Sequence, residues 1–279
     1  MSNFLSMQVI CEEKKISLNQ HKYIQEEEYG LLNSCGRKAP LPESNEDNTA
    51  AGEVRIDPTK YQHAVGKLLY LTVLTRPDLS FACCKISQSN SNPKHKDWIN
   101  VAHVLRYLNA TKNLSLVYEK TGEKARAFCD SDYNATKGER VSVSGYVFIL
   151  ANSTFSWRTK KQTTPALSTI EAEYVSMCEA AREALWLKMI MKEMGQNHLL
   201  IDPFVIRADN QGAINLSEKG LDADRPKHID TSYCFLHHYV NKKKLSFEYV
   251  PSAENVADLF TKNLKATKTA QFVKLLGLS

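Results

Sequence analysis

No Cys-x-x-Cys spacing occurs among the seven cysteines (Cys11, Cys35, Cys83, Cys84, Cys129, Cys178 and Cys234), and their number is odd. Both facts speak against a zinc site or a disulfide scaffold, so the thiols read as reduced and intracellular. Also missing is the basic-then-apolar opening of a secretory signal, and the longest strongly apolar stretch, around Leu68 to Leu74, is far too short to cross a bilayer. These absences argue against secreted and membrane classes and leave the cytoplasm, with the nucleus as second choice. There is no extreme of charge either: +5 and a pI near 8.7 permit nucleic-acid binding without requiring it. What the chain does have is core material. Its 279 residues are 43% hydrophobic, enough for about two domains.

Four carboxylates stand out, Asp130, Glu173, Asp209 and Asp258, none with a cation next to it in sequence. Asp130 ends the apolar run of "RAFCDSDY", where Phe128 and Cys129 read as a short buried strand. Asp209 closes the β-branched and aromatic run of "FVIRADNQGAI" before a helical pattern begins, so both aspartates are expected at strand exits. Glu173 falls in the first turns of a long amphipathic helix, and Asp258 follows the strand-like "LSFEYVPS" in a short helical stretch, "ENVADLFTK". Brought together, such groups resist ionising unless divalent cations neutralise them. Oxygen-only ligands favour Mg²⁺ or Mn²⁺ over zinc.

Two alternating strands, "VSVSGYVFIL" and "STFSWRTKK", follow Asp130 around a turn at Ala151-Asn152; then come the Glu173 helix, the Asp209 strand and helix, a strand at 245–250 and the Asp258 helix. This β-β-β-α-β-α-β-α order predicts an α/β fold, a mixed five-stranded sheet with flanking helices, and it resembles ribonuclease H. The segments "CDSDY", "SVSGYVF", "SWRTKKQTTPALSTIEAEYVS", "EALWL", "ADNQGAI", "KHID" and "NVADLFTK" are similar to the ribonuclease H domain of copia-type retrotransposon Pol polyproteins, in that family's order across residues 126–264. The resemblance implies an endonuclease that cuts the RNA strand of an RNA–DNA hybrid with two Mg²⁺ or Mn²⁺ ions on the four carboxylates. Strand selectivity would come from 2′-hydroxyl contacts across a shallow minor groove.

Upstream, "FLSMQV", "ISLNQHKYI", "YQHAVGKLLYLTVLTRPDLSFA" and "AHVLRYLNATKNLSLVY" look like the stretch between the palm of a copia-type reverse transcriptase and its ribonuclease H domain. The Tyr-x-Asp-Asp turn that those polymerases place before "FLSMQV" is absent, so no polymerase activity is expected from this chain alone. A fragment of a larger polyprotein, or a truncated and repurposed copy, is the expectation, with other Pol-derived chains as candidate partners. The domain reading is a palm remnant and linker at 1–55, a helical thumb- or connection-like region at 56–122 and a ribonuclease H-like domain at 123–279. Residues 1–55 are expected to pack poorly or against another chain, and "APLPESNEDNTAAGE" reads as a linker. Trp98, Val101, Leu105 and Leu108 recur at helical spacing and read as core.

The resemblance also carries residue roles. Asp130 matches the first family carboxylate, Asp209 the third and Asp258 the fourth, with Asn255 before it; Asp132 is the competitor of Asp130, placed in a turn. Asn210 and Gln211 match the polar pair after the third carboxylate, which makes Gln211 a candidate minor-groove contact, and a plain helix N-terminus is the compatible alternative. Arg158, Lys160 and Lys161 crowd one strand end, and Lys227 and His228 lie in "KHID"; beside a hybrid-cutting site they become phosphate contacts, and alone they are solvated rims. Cellular ribonucleases H carry a histidine about ten residues before the fourth carboxylate, where this chain has Glu248. Two glutamates compete at the start of the long helix. Ser168 and Glu171 form a capping-box pattern, with the Glu171 side chain expected on the Ser168 N–H. Glu173 lies about 200° further round, and its successors match the family pattern, so Glu173 is the expected ligand. A catalytically inactive remnant acting as a nucleic-acid-binding or protein-interaction module is the rival reading.

Overall fold

The computed structural model describes residues 2–26, 35–42, 56–136, 141–219 and 227–279, without the side chains of Glu26, of Thr136 and of residues 227–232. The chain divides into two compact units: residues 1–120 joined by 263–279, and residues 121–262.

The first unit opens with three short strands, β1 (Ser2–Phe4), β2 (Met7–Cys11) and β3 (Lys15–Asn19), followed by α1 (His21–Glu26). Three helices come next, α2 (Pro58–Leu74), α3 (Ser80–Ser87) and α4 (His95–Ala110), and then β4 (Leu116–Glu119). Asp57 caps α2 by accepting the Thr59 N–H at 3.0 Å, and Pro58 occupies the first helical position, where no N–H is missed. The apolar stripe Val101, Leu105 and Leu108 of α4 is buried with Tyr61, Val65 and Leu68 of α2, as its spacing predicts.

Residues near the N-terminus are not left without a partner inside this chain. The sheet order is β1-β2-β3-β4, with Ile16 opposite Tyr118 and Leu18 opposite Leu116. The other side of β4 is taken by the C-terminus: the Val117 N–H donates to Gly277 C=O at 2.9 Å, and Ser115 and Ser279 exchange backbone hydrogen bonds. Beyond the expected elements, a helix α8 is present at Ala266–Leu275. The residues from 263 onward thus group with the first unit, where the sequence reading ran one domain from 123 to 279. Unpaired β4 backbone groups explain the difference, because any nearby extended segment can satisfy them.

The second unit contains β5 (Arg126–Thr136), β6 (Val141–Leu150), β7 (Ser153–Lys161), α5 (Thr169–Glu193), β8 (Phe204–Ala208), α6 (Gln211–Lys219), α7 (Lys227–Asn241) and β9 (Leu245–Tyr249). Its sheet order is β7-β6-β5-β8-β9, antiparallel among the first three strands and parallel from β5 through β8 to β9. That is the ribonuclease H-like arrangement. Ala151 and Asn152 both have positive φ, 55° and 61°, as a two-residue hairpin turn between right-twisted strands requires. Helix α5 lies on one face of the sheet, burying Tyr174, Met177, Ala181 and Ala184 with Cys129, Tyr146 and Phe148.

Three local readings change. Strand β5 does not stop at Asp130 but runs on to Thr136, so Asp130 is mid-strand opposite Gly145, and Asp132 pairs with Val143 instead of turning. Burial against β6 extends pairing beyond the apolar run. The single helix expected after Asp209 is two, whereas the short helical stretch expected around Asp258 is present as a 3-10 turn, Val256–Phe260.

Candidate active site

Carboxylate oxygens of Asp130, Glu173 and Asp209 all lie within 4.8 Å of one another. They come from the middle of β5, the second turn of α5 and the end of β8. Helix α5 is docked by polar contacts as well as apolar ones. Ser176 Oγ donates to the Asp130 backbone C=O at 2.6 Å, and Gln162 Nε2 holds the Ala172 C=O at 3.0 Å. This docking leaves Glu173, three residues before Ser176, beside the Asp130 side chain, where the Ser131 N–H donates to Glu173 Oε1 at 3.2 Å.

The start of α5 separates the two competing glutamates. Ser168 Oγ accepts the Glu171 N–H at 3.1 Å, as predicted. The return contact is different: Glu171 accepts the Leu167 N–H at 2.7 Å, one residue earlier than the Ser168 N–H that the capping pattern suggested. Glu171 is half-buried at the helix start, and Glu173 is buried.

Asp258 is buried too, but it is not one of the convergent three. Its 3-10 turn is anchored under β5: Asn255 Oδ1 accepts the Ala257 N–H at 3.2 Å, while its Nδ2 donates to the Cys129 C=O at 2.9 Å. Gly145 makes the approach feasible, since a Cβ there would stand 2.7 Å from the Phe260 Cβ. The turn delivers Thr261, whose hydroxyl donates to Asp130 Oδ2, and Lys262, whose Nζ lies 2.7 Å from Asp258 Oδ1 and 3.3 Å from Asp130. Neither residue was singled out from sequence. The i, i+4 spacing of Asp258 and Lys262 was the available signal. Ser252 Oγ, also not foreseen, donates to Asp209 Oδ2 at 2.5 Å.

Burial pushes the Glu173 carboxyl up to about 9, with the charges of Asp130 and Asp209 adding to the rise. Asp130 is pushed up to about 7, again first by burial, with Lys262 opposing. Lys262 is itself raised above the ordinary lysine value by its two aspartate neighbours, which outweigh its burial. Glu173 Oε2 is buried with no hydrogen-bond partner and faces this excess of negative charge. A divalent cation fits here: the donors are hard oxygens, and it would satisfy the orphaned oxygen while neutralising the carboxylates.

The predicted basic contacts separate by strand parity. Residues paired across β6 and β7 share a face, so Arg158 and Lys160 lie with Tyr146 and Ser144 on the α5 side, where Lys160 Nζ is 3.0 Å from Glu179. Lys161, opposite Val143, lies on the Asp130 side. Asn210 caps α6 by accepting the Ala213 N–H at 3.0 Å, while Gln211 is exposed with its amide on Asn215. Glu248 is exposed on β9, 3.4 Å from Arg207. The side chains of Lys227 and His228 lie outside the described residues.

No family model matches the chain. It is 31% identical over 289 residues to the retrovirus-related Pol polyprotein from transposon TNT 1-94 of Nicotiana tabacum, covering 98% of this chain and 21% of that protein. It is likewise 31% identical over 267 residues to the retrovirus-related Pol polyprotein from transposon RE1 of Arabidopsis thaliana, covering 95% of this chain and 18% of that one. The chain therefore spans about a fifth of the length of these curated relatives. Among solved structures, LC11-RNase H1 in complex with an RNA/DNA hybrid is 16% identical with a TM-score of 0.36, over 50% of this chain and 94% of that one. At that level the strand order, not the superposition, carries the fold assignment. No helix among the described residues is long and apolar enough to cross a membrane.

Proposed function

The chain belongs to the copia-type, retrovirus-related Pol polyproteins, and on that footing we propose that residues 121–262 form a metal-dependent endonuclease that cleaves the RNA strand of RNA–DNA hybrids. The observation that carries the reading is the convergence of Asp130, Glu173 and Asp209 around a buried, unpartnered Glu173 oxygen. Charge of one sign is costly to bury and is kept where it has a cation to hold. Asp130, Glu173 and Asp209 would be the principal ligands, with Asp258 joining from the far side of Asp130. Bound Mg²⁺ or Mn²⁺, two ions in the family's manner, would supply Lewis-acid activation of water and stabilise the leaving oxygen.

The chain's own groups set the geometry. Ser131 N–H and Ser252 Oγ orient Glu173 and Asp209, and Thr261 Oγ1 fixes one oxygen of Asp130. Lys161, on the Asp130 side of the sheet, and exposed Gln211 are the contacts we assign to the hybrid backbone and minor groove. Arg158 serves the far rim, and Lys160 contributes less because Glu179 holds it. Asn210 acts through α6, which it caps. We also read the first unit as a polymerase-derived region.

Incubation of the purified chain with end-labelled RNA–DNA hybrid, with Mg²⁺ and then with excess chelator, tests the proposal. RNA-strand cutting that needs the metal is the expected result. Hybrid binding without any cutting, under Mg²⁺ or Mn²⁺, would refute the enzyme and leave the binding module standing.

A further inference from the structure

Lys262 is the one cation that reaches the acidic centre among the described contacts, and it does so from a fixed place. Its Nζ bridges Asp258 Oδ1 at 2.7 Å and Asp130 at 3.3 Å, with the lysine side chain 34% exposed and the two carboxylates 4% and 0% exposed. The bridge is built into the 3-10 turn, because Asp258 and Lys262 are four residues apart and the Lys262 N–H donates to the Asp258 C=O at 2.9 Å. Asp130 is thus shared. One side of it faces Glu173 and Asp209, where no ammonium intervenes and Glu173 Oε2 has no partner; the other faces Asp258, where Lys262 already supplies the positive charge.

Resting on the reading of this cluster as a metal centre, we propose that Lys262 is the resident counter-cation of the Asp130–Asp258 edge. The substrate-free chain then takes one divalent ion at Asp130, Glu173 and Asp209, and a second ion enters only by displacing the ammonium. Lys262 is therefore a positioning residue that governs how many ions the site holds. A lysine ammonium suits this role because it is a compact point charge on a flexible stem. Its partial exposure gives it room to withdraw without leaving a buried charge unpaired.

The test is Mn²⁺ titration of the full chain without nucleic acid, followed by calorimetry and by the loss of free Mn²⁺ paramagnetic signal, for the parent, Lys262→Met and Lys262→Arg. The parent and Lys262→Arg should bind one ion per chain. Lys262→Met should bind two, or bind the second about tenfold tighter or more, the order expected when a charged contact at a carboxylate is removed. Circular dichroism of each variant in chelator identifies a misfolded protein, and Lys262→Arg against Asp258→Asn then serves in its place: Asp258→Asn should keep the single ion while losing none of its affinity. Two ions of equal affinity in both parent and Lys262→Met would overturn the proposal and leave the metal centre intact. No Mn²⁺ binding by the parent at millimolar metal would instead remove the metal centre and this inference with it.

Discussion

Arg76 and Asp130 are both buried charged residues, one in each unit, and their surroundings differ in balance. Arg76 donates Nε and Nη2 to the two oxygens of Asp78 at 2.9 and 2.7 Å, and Nη1 and Nη2 also donate to the Thr111 C=O and hydroxyl at 3.2 and 2.7 Å. Tyr107 Oη completes Asp78 at 2.8 Å. Charge cancels and the donors and acceptors close on one another, which is the pattern of an internal brace. Around Asp130 three further acidic side chains gather against a single lysine, and one oxygen is left over. A closed network holds a fold; an open one is completed from outside.

Substitution should separate the two clusters cleanly. The largest effect is expected for Asp130→Asn or Asp209→Asn, which should remove metal-dependent RNA cutting down to background while hybrid binding, carried by lysines and arginines, largely survives. Residual cutting at the parent's rate in either variant would sink the site. By contrast, melting in chelator should be unharmed, since either change removes one of the crowded like charges, buried at Asp130 and half-buried at Asp209.

In the first unit the same kind of change should act on stability instead. Arg76→Met leaves Asp78 buried and unpaired and should cost about 3–5 kcal/mol, read by denaturant unfolding, with no direct effect on the cutting chemistry. A loss near zero would mean that the pair is not the brace described.

The next expected effect is on pH. The Asp130 and Glu173 carboxyls stand above their ordinary values of 3.8 and 4.5, at about 7 and about 9, because burial and mutual repulsion favour the protonated forms. The folded state therefore binds these protons more tightly than the unfolded one. Their folding penalty is absent below about pH 4, grows as pH rises, and is complete only above the folded values. In chelator the melting temperature should fall between pH 5 and 9 for this reason. Added Mg²⁺ should raise it more at the alkaline end. Equal Mg²⁺ stabilisation at both ends would remove the electrostatic account.

The smallest effects are expected at the start of α5. Glu171→Ala should cost about 0.5–2 kcal/mol, as lost helix-start contacts do, and Glu171→Gln should leave both cutting and melting near normal. Glu173→Gln should abolish cutting without lowering the melting temperature in chelator. Exchange of these two outcomes would make Glu171 the ligand.

Much of this was legible in one dimension. Alternation marked β6 and β7, the Ala151-Asn152 turn marked their hairpin, Ser168 marked the start of α5, and the four carboxylates came with segments that resemble one family. Local pattern suffices for these because propensity, capping and side-chain period act over a few residues. The extent of β5 through Asp130, the grouping of 263–279 with the first unit and the division of the basic residues between two sheet faces were not legible. Each depends on which backbone edge or strand register meets which, and those partners are more than a local window apart.

Sequence by itself determined the composition of the acidic centre, the order of its elements and the family to which they are similar, because these are carried by residue identity and short-range period. Only the tertiary structure decided that three of the four carboxylates converge while Asp258 turns to a lysine, and that Asp130 is shared between them. The physical reason is that an unbalanced charge is a property of a neighbourhood. Asp130, Glu173, Asp209 and Lys262 come from four separate stretches of the chain, and their interaction exists only once β5, α5, β8 and the 3-10 turn have packed and excluded water.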